Sequence, residues 1–158
     1  MEVEDLQKEI KRLNRQVQIL ANVRAQDVAA IVKGFVAKYG DEALQIAADA
    51  HTNMVGDDAA KMAKNFEPNA KGIAELLSVM HTNVGITGEV IEATPKRSVR
   101  RETKCPFAGV WPAEYCEIIH GPSLEKTAKM VNPKIKVIRT KHLGNGDEYC
   151  EYAFELED

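Results

Sequence analysis

Cysteine and histidine carry most of the chemistry this chain can offer, and they crowd into its last third. Cys105 sits in Lys104-Cys105-Pro106-Phe107, Cys116 in Glu114-Tyr115-Cys116-Glu117, and Cys150 in Glu148-Tyr149-Cys150-Glu151. His120 and His142 lie close to them in sequence. A thiol can act as nucleophile, metal ligand or redox group, so three thiols with two imidazoles make a candidate site.

Two chemistries compete for these residues. In the first, a cysteine is a nucleophile with its pKa set by an imidazole, a cation or a helix N-terminus. Cys116 and His120 fall one helical turn apart, on one face of a short predicted helix. Cys105 closes a strand and could face Cys116 across a loop, and Glu117 and Glu151 each follow a cysteine and could move protons. In the second, Cys105, Cys116 and Cys150, with His120 or His142, bind zinc or iron, or a small ligand, in a sensor domain; a further reading is a non-catalytic subunit that joins a larger assembly through its N-terminal heptads. No Cys-x-x-Cys pair supports a zinc finger. The bland alternative is packing, because a free cysteine is among the most buried residue types. Cys150 on an apolar strand face fits that role as well as a site. Trp111, Tyr115 and Phe107 fit either an apolar pocket lining or helix-to-sheet packing.

The elements that must position these groups divide the chain into a helical half and a strand-rich half. Val3, Ile10 and Val17 occupy heptad a positions, and Leu6, Leu13 and Leu20 occupy d. β-Branched residues at a with Leu at d favour a two-stranded parallel coiled coil, hence a homodimer. The alternative is a helix lying across its own domain. The seam ends where Arg24 and Asp27 take the next a and d places, so residues 1–22 read as an oligomerisation helix. Residues 23–158 read as one domain, helical over 23–83 and sheet-forming over 84–158.

Val28, Ile31, Val32, Phe35 and Val36 predict a second helix, stopped by Gly40. Asp41 caps a third, Gly56-Asp57-Asp58 opens a fourth, and a fifth runs over 70–80 after Pro68-Asn69. His51 and His81 fall near the ends of these helices, where an imidazole suits the helix dipole.

From Gly85 onward, residues 86–93 and 98–105 predict a hairpin around Thr94-Pro95-Lys96. The run Lys96-Arg97-Ser98-Val99-Arg100-Arg101 reads as a solvated strand edge. A short helix over 112–120 stops at Gly121-Pro122, and a second follows Ser123. Strands over 135–142 and from Cys150 onward flank the turn Gly144-Asn145-Gly146-Asp147. In the last strand Cys150, Tyr152, Phe154 and Leu156 share the apolar face. His142 reads as a turn-end residue. The fold class is α+β: a helical N-terminal half, then a four-stranded, mostly antiparallel sheet with inserted short helices.

Bulk properties narrow the function. The 158 residues are 44% hydrophobic and 28% charged, with a net charge of -3. A chain without basic excess is poorly suited to neutralise phosphates, which argues against a nucleic-acid partner. No stretch approaches the roughly 20 apolar residues of a membrane span, and the acidic start Met1-Glu2-Val3-Glu4-Asp5 is no secretory signal. An odd number of cysteines at low density points to a reducing cytoplasm.

The order of these motifs resembles a known family. A strand ending in Lys104-Cys105-Pro106-Phe107 is followed by Cys116, then by Asn132-Pro133-Lys134-Ile135-Lys136-Val137-Ile138-Arg139-Thr140, then by Gly146-Asp147-Glu148-Tyr149-Cys150-Glu151-Tyr152. Over residues 86–156 this resembles the L-2-amino-thiazoline-4-carboxylic acid hydrolase-like family. It is more distantly similar to cysteine-bearing 4-vinyl reductase domains. The resemblance implies hydrolysis of a carbon–nitrogen bond in a small cyclic amidine. It makes Cys116 the first candidate nucleophile, with Cys105 the second, and His120 the base. Cys150 and Glu151 would line the substrate site beside Trp111 and Tyr115. One departure stands out: Ile119 occupies a position where the family is expected to carry an acid, which leaves no acid–base group there.

Overall fold

A computed structural model of the protein describes residues 3–157, so Met1 and Glu2 of the acidic start, and Asp158, lie outside the described residues. In chain order the elements are α1 (Val3–Tyr39), α2 (Asp41–Ala63), α3 (Ala70–Asn83), β1 (Thr87–Ala93), β2 (Arg97–Lys104), α4 (Ala113–Val131), β3 (Ile135–Lys141) and β4 (Cys150–Leu156). The strands form one antiparallel sheet in the order β1-β2-β4-β3. The expected α+β class, helices first and sheet after, is the observed one.

Three predicted breaks in the helices are absent. The heptad segment and the next helical stretch form one helix, α1, of 37 residues, which passes through residue 22 unbroken. Gly56 does not open a new helix: it lies inside α2, where the side-chain stem of Lys126 crosses it. His51 is consequently inside α2, not at a helix end. Gly121-Pro122 does not stop α4 either. Proline there removes the N–H that would bond the Ile118 carbonyl. Both Pro122 and Ile118 are exposed, so water can satisfy that carbonyl and the helix continues.

α3 begins where predicted. Asn69 accepts a hydrogen bond from the Gly72 N–H at 3.0 Å and so caps the helix N-terminus. A side chain at Gly72 would run into the Glu67 carbonyl, so the turn into α3 closes only around glycine. The main core lies between α3, α4 and the sheet, and is built from Ile73, Leu76, Leu124, Ala128, Tyr152 and Phe154 among others. A second cluster joins Leu44 and Ala48 of α2 to Ile119 of α4, with Val32, Val36, Trp111 and Tyr115 packed on it.

The basic run of β2 is not a solvated edge. β2 is an interior strand of the sheet, and Ser98 and Arg100 are 0% and 2% exposed. Arg97 and Arg101 on the opposite face pair with Glu92, Glu155 and Glu151. The charges are tolerated because each finds a partner within the protein.

Candidate functional site

The inner face of the sheet assembles a polar cluster in an otherwise apolar core. Pairing places Arg100 opposite Tyr152, and Tyr152 opposite Arg139, while Glu102 faces Cys150. All five side chains share the face covered by α3 and α4 because they sit at alternating positions of neighbouring strands. From α3, His81 reaches Glu102, its Nδ1 hydrogen-bonded to Oε1. Arg100 adds a 3.4 Å contact to Glu102 and donates to Ser78 Oγ at 2.7 Å. From α4, His120 lies with its ring 5.7 Å from that of His81 and 6.4 Å from that of Tyr152.

The three thiols lie within electrostatic reach of one another and of this cluster. Cys116 interacts electrostatically with Arg139, Cys105 and Cys150, and Cys105 with Glu102 and Cys150. None forms a disulfide; Cys105 and Cys116 are half-buried and Cys150 is buried. Burial pushes the Cys116 thiol up to about 12, against the pull of Arg139. Burial also pushes Cys105 up to about 11, although the backbone N–H groups of Phe107 and Ala108 oppose the shift. Cys150 is raised by burial too, with the Leu143 N–H directed at its sulfur at 3.3 Å. At neutral pH all three are therefore neutral thiols.

Burial, with help from neighbouring His81 and against Glu102, lowers His120 to about 3. Its imidazole is therefore neutral at pH 7 and weakly basic. Burial works against the Glu102 charge, but His81, His120 and Arg100 together outweigh it and hold the carboxyl below its usual range. Arg139 keeps its charge despite burial because Tyr152, Cys116 and Glu117 favour it.

Not every expected residue joins this cluster. Cys105, Cys116, Cys150 and His120 do. Glu151 points to the other face of the sheet, where Arg101 and Thr140 hold its carboxylate, and these hydrogen bonds keep it below the usual carboxylate range. Trp111 and Tyr115 pack on the α2–α4 cluster, and Phe107 lies 5.0 Å from Trp111, ring to ring. His142 is buried at the end of β3. Among the described residues, no group of three or more His, Cys, Asp or Glu side chains is arranged to hold a metal ion.

Sequence reasoning missed His81, Glu102, Arg100 and Tyr152 as site residues. The alternation Ser98, Arg100, Glu102 was visible, but a charged strand face reads as solvent-facing unless its counter-charges are known. Arg139 was visible only as part of a family motif.

The fold is α+β, a helical layer over an antiparallel sheet, with a buried cluster of thiols, imidazoles and one carboxylate between them. A family model described as L-2-amino-thiazoline-4-carboxylic acid hydrolase matches residues 21–154, and the chain belongs to that family. The match reaches well into the helical half. No curated relative matches the chain. Among solved structures, a trafficking protein particle complex subunit 3 from Naegleria fowleri, covalently bound to palmitic acid, is similar with a TM-score of 0.57 at 14% identity; the likeness covers 89% of this chain and 97% of that one. The phenol-responsive sensory domain of the transcription activator PoxR, with phenol, is similar with a TM-score of 0.56 at 14% identity, covering 84% of this chain and 74% of that one. At such identity the likeness is one of fold. No helix among the described residues is long and apolar enough to cross a membrane.

Proposed function

We propose that the protein hydrolyses a carbon–nitrogen bond in a small cyclic amidine of the thiazoline type, with Cys116 as nucleophile. The observation that carries this reading is the electrostatic interaction of Cys116 with Arg139, one helical turn before a neutral His120 on α4, in a chain of a family described by that reaction. Because the resting thiol is neutral, its proton must leave in the same step as the attack. The sulfur bonds to the amidine carbon, the C=N electron pair moves to nitrogen, and the thiol proton passes to that nitrogen through His120. Collapse of the tetrahedral adduct breaks the ring carbon–nitrogen bond. Water then cleaves the bond between substrate carbon and Cys116, restoring the thiol. Arg139 favours the sulfur anion as it develops, and Cys105 and Cys150 border the reacting group.

The test is turnover of 2-amino-thiazoline-4-carboxylate, followed by loss of substrate and appearance of the ring-opened product. Cys116→Ser is expected to abolish it with the fold intact, and Cys105→Ser to reduce it. Full activity in Cys116→Ser would remove that residue from the chemistry.

A second reading is a small-ligand sensor or binding domain. It is favoured by the resting state of the site, in which three thiols and His120 are all uncharged. A phenol-responsive sensory domain shares the fold. This reading expects saturable binding of a small ligand without turnover.

A further inference from the structure

Period two would put Arg139 and His142 on opposite faces of the sheet. A register shift in β3 between Arg139 and Lys141 inserts one extra residue and turns both inward. They meet at one oxygen. Arg139 Nη1 donates a hydrogen bond to Glu117 Oε1, and His142 Nδ1 lies 3.8 Å from that same oxygen, beyond bonding distance. The Arg139 side chain is 15% exposed and that of His142 only 6%, whereas Glu117 is 52% exposed.

Two atoms at this point remain unsatisfied. Arg139 Nε and His142 Nδ1 are buried with no hydrogen-bond partner among the described residues. An unpaired buried donor or acceptor is costly, so such a pair is suited to a ligand group. A guanidinium edge presents two parallel N–H groups matched to the two oxygens of a carboxylate. Glu117 engages Nη1, on the Cδ side of the guanidinium, and leaves the edge that Nε shares with Nη2 without a partner at Nε. The cationic hub is fixed by burial, against the Tyr152 ring at 5.2 Å, while its present carboxylate is the exposed, replaceable partner.

We propose that Arg139 and His142 form a seat for one carboxylate of a small ligand, and that Glu117, held on Nη1 of the same guanidinium, competes for its charge until the ligand displaces it. The assignment of the ligand as the substrate rests on the hydrolase reading; the seat itself does not. Glu117 follows Cys116 directly on α4, so the exchange takes place beside the thiol. Glu117 thus acts as an internal competitor, and Arg139 and His142 as specificity-determining residues.

The experiment uses 2-aminothiazole-4-carboxylate, an aromatic probe without a hydrolysable amidine, and its 4-carboxamide, with acetate as a minimal carboxylate. Binding is measured by calorimetry and by the ring resonances of His142. The carboxylate probe should bind saturably, shift His142, and outcompete the carboxamide. Glu117→Gln should tighten it about tenfold, and Arg139→Lys, which keeps the charge but loses the fork, should weaken it about tenfold. Arg139→Met should abolish it; if that variant fails to fold, the lysine variant decides. Equal binding of carboxylate and carboxamide, unchanged or weaker binding in Glu117→Gln, or no saturable carboxylate-dependent shift of His142 in that variant would each overturn the seat. Binding as expected without turnover of the thiazoline would instead sink only the hydrolase reading.

Discussion

His81 Nδ1 and Glu102 Oε1 share a hydrogen bond in the interior between α3 and β2, with side chains only 7% and 3% exposed. Arg100, 2% exposed, closes the group from the neighbouring position of the same strand. One carboxylate therefore compensates two basic side chains that water cannot reach.

Removing that carboxylate should cost more than removing either basic partner. Glu102→Ala leaves Arg100 and His81 buried without an anion, and the expected loss is about 3–5 kcal/mol of folding stability. In urea unfolding, the double variant His81→Ala/Glu102→Ala should be less destabilised than the sum of the two single variants, because the second removal takes away a group already left unpaired. Simple additivity would show that the contact contributes nothing.

Acid should destabilise the fold from about pH 6.5 downward. His120 is held at about 3 by burial, and His51 and His142 are lowered as well, also chiefly by burial. Between the folded and unfolded values the unfolded chain binds more protons, so stability falls as pH falls. The slope is about 1.4 kcal/mol per pH unit for each fully displaced histidine. Below about pH 3 the His120 contribution levels off. Glu102, lowered in the fold, adds a further loss as the pH drops through the carboxylate range. Denaturation midpoints from pH 8 to 4 in the parent and in His120→Asn read this directly. An unchanged slope in the variant would mean that His120 already titrates near its ordinary value.

The cysteines should alkylate slowly. Cys105 at about 11 and Cys116 at about 12 lie well above an ordinary thiol. At pH 8 iodoacetamide should react with either at least roughly a hundredfold more slowly than with a free cysteine, and about tenfold faster for each added pH unit while the fold holds. Peptide mapping after timed quenching assigns the rates. One thiol reacting fast at pH 7 would identify a resting thiolate and displace the concerted proton transfer proposed above.

The heptad residues of α1 remain exposed: Val3 at 71%, Ile10 at 56% and Leu20 at 68% are examples. We propose that a second copy of this helix covers them, as the a and d pattern favours. Ile10→Asp with Leu13→Asp should convert a dimer into a monomer by sedimentation, with the far-ultraviolet spectrum of the domain retained. An unchanged mass would count against pairing through this seam.

Element order and fold class were legible because they rest on local patterns. The period-two face of Cys150, Tyr152 and Phe154, the start of α3 after Pro68-Asn69 and the Thr94-Pro95-Lys96 turn each act over a few residues, and each is found where expected. The helix breaks at Gly56 and Gly121-Pro122 failed for the complementary reason: propensity is weak, and packing of α2 along α4 overrides it.

The candidate site was legible only in its sulfur. Cys105, Cys116, Cys150 and His120 carry their chemistry in their side-chain type, so sequence alone named them, together with Glu151, which the sheet turns away. His81, Glu102 and Arg139 acquire theirs from position. Strand pairing brings Arg100, Tyr152 and Arg139 into one row, α3 docks His81 against Glu102, and a single extra residue in β3 turns His142 to the side of Arg139. Composition and periodicity determined that a helical layer would cover a sheet and that its thiols would lie near one another in the chain. Only the tertiary structure decided which charges would be buried together, because a buried charge is stable only beside a partner that lies far from it in sequence.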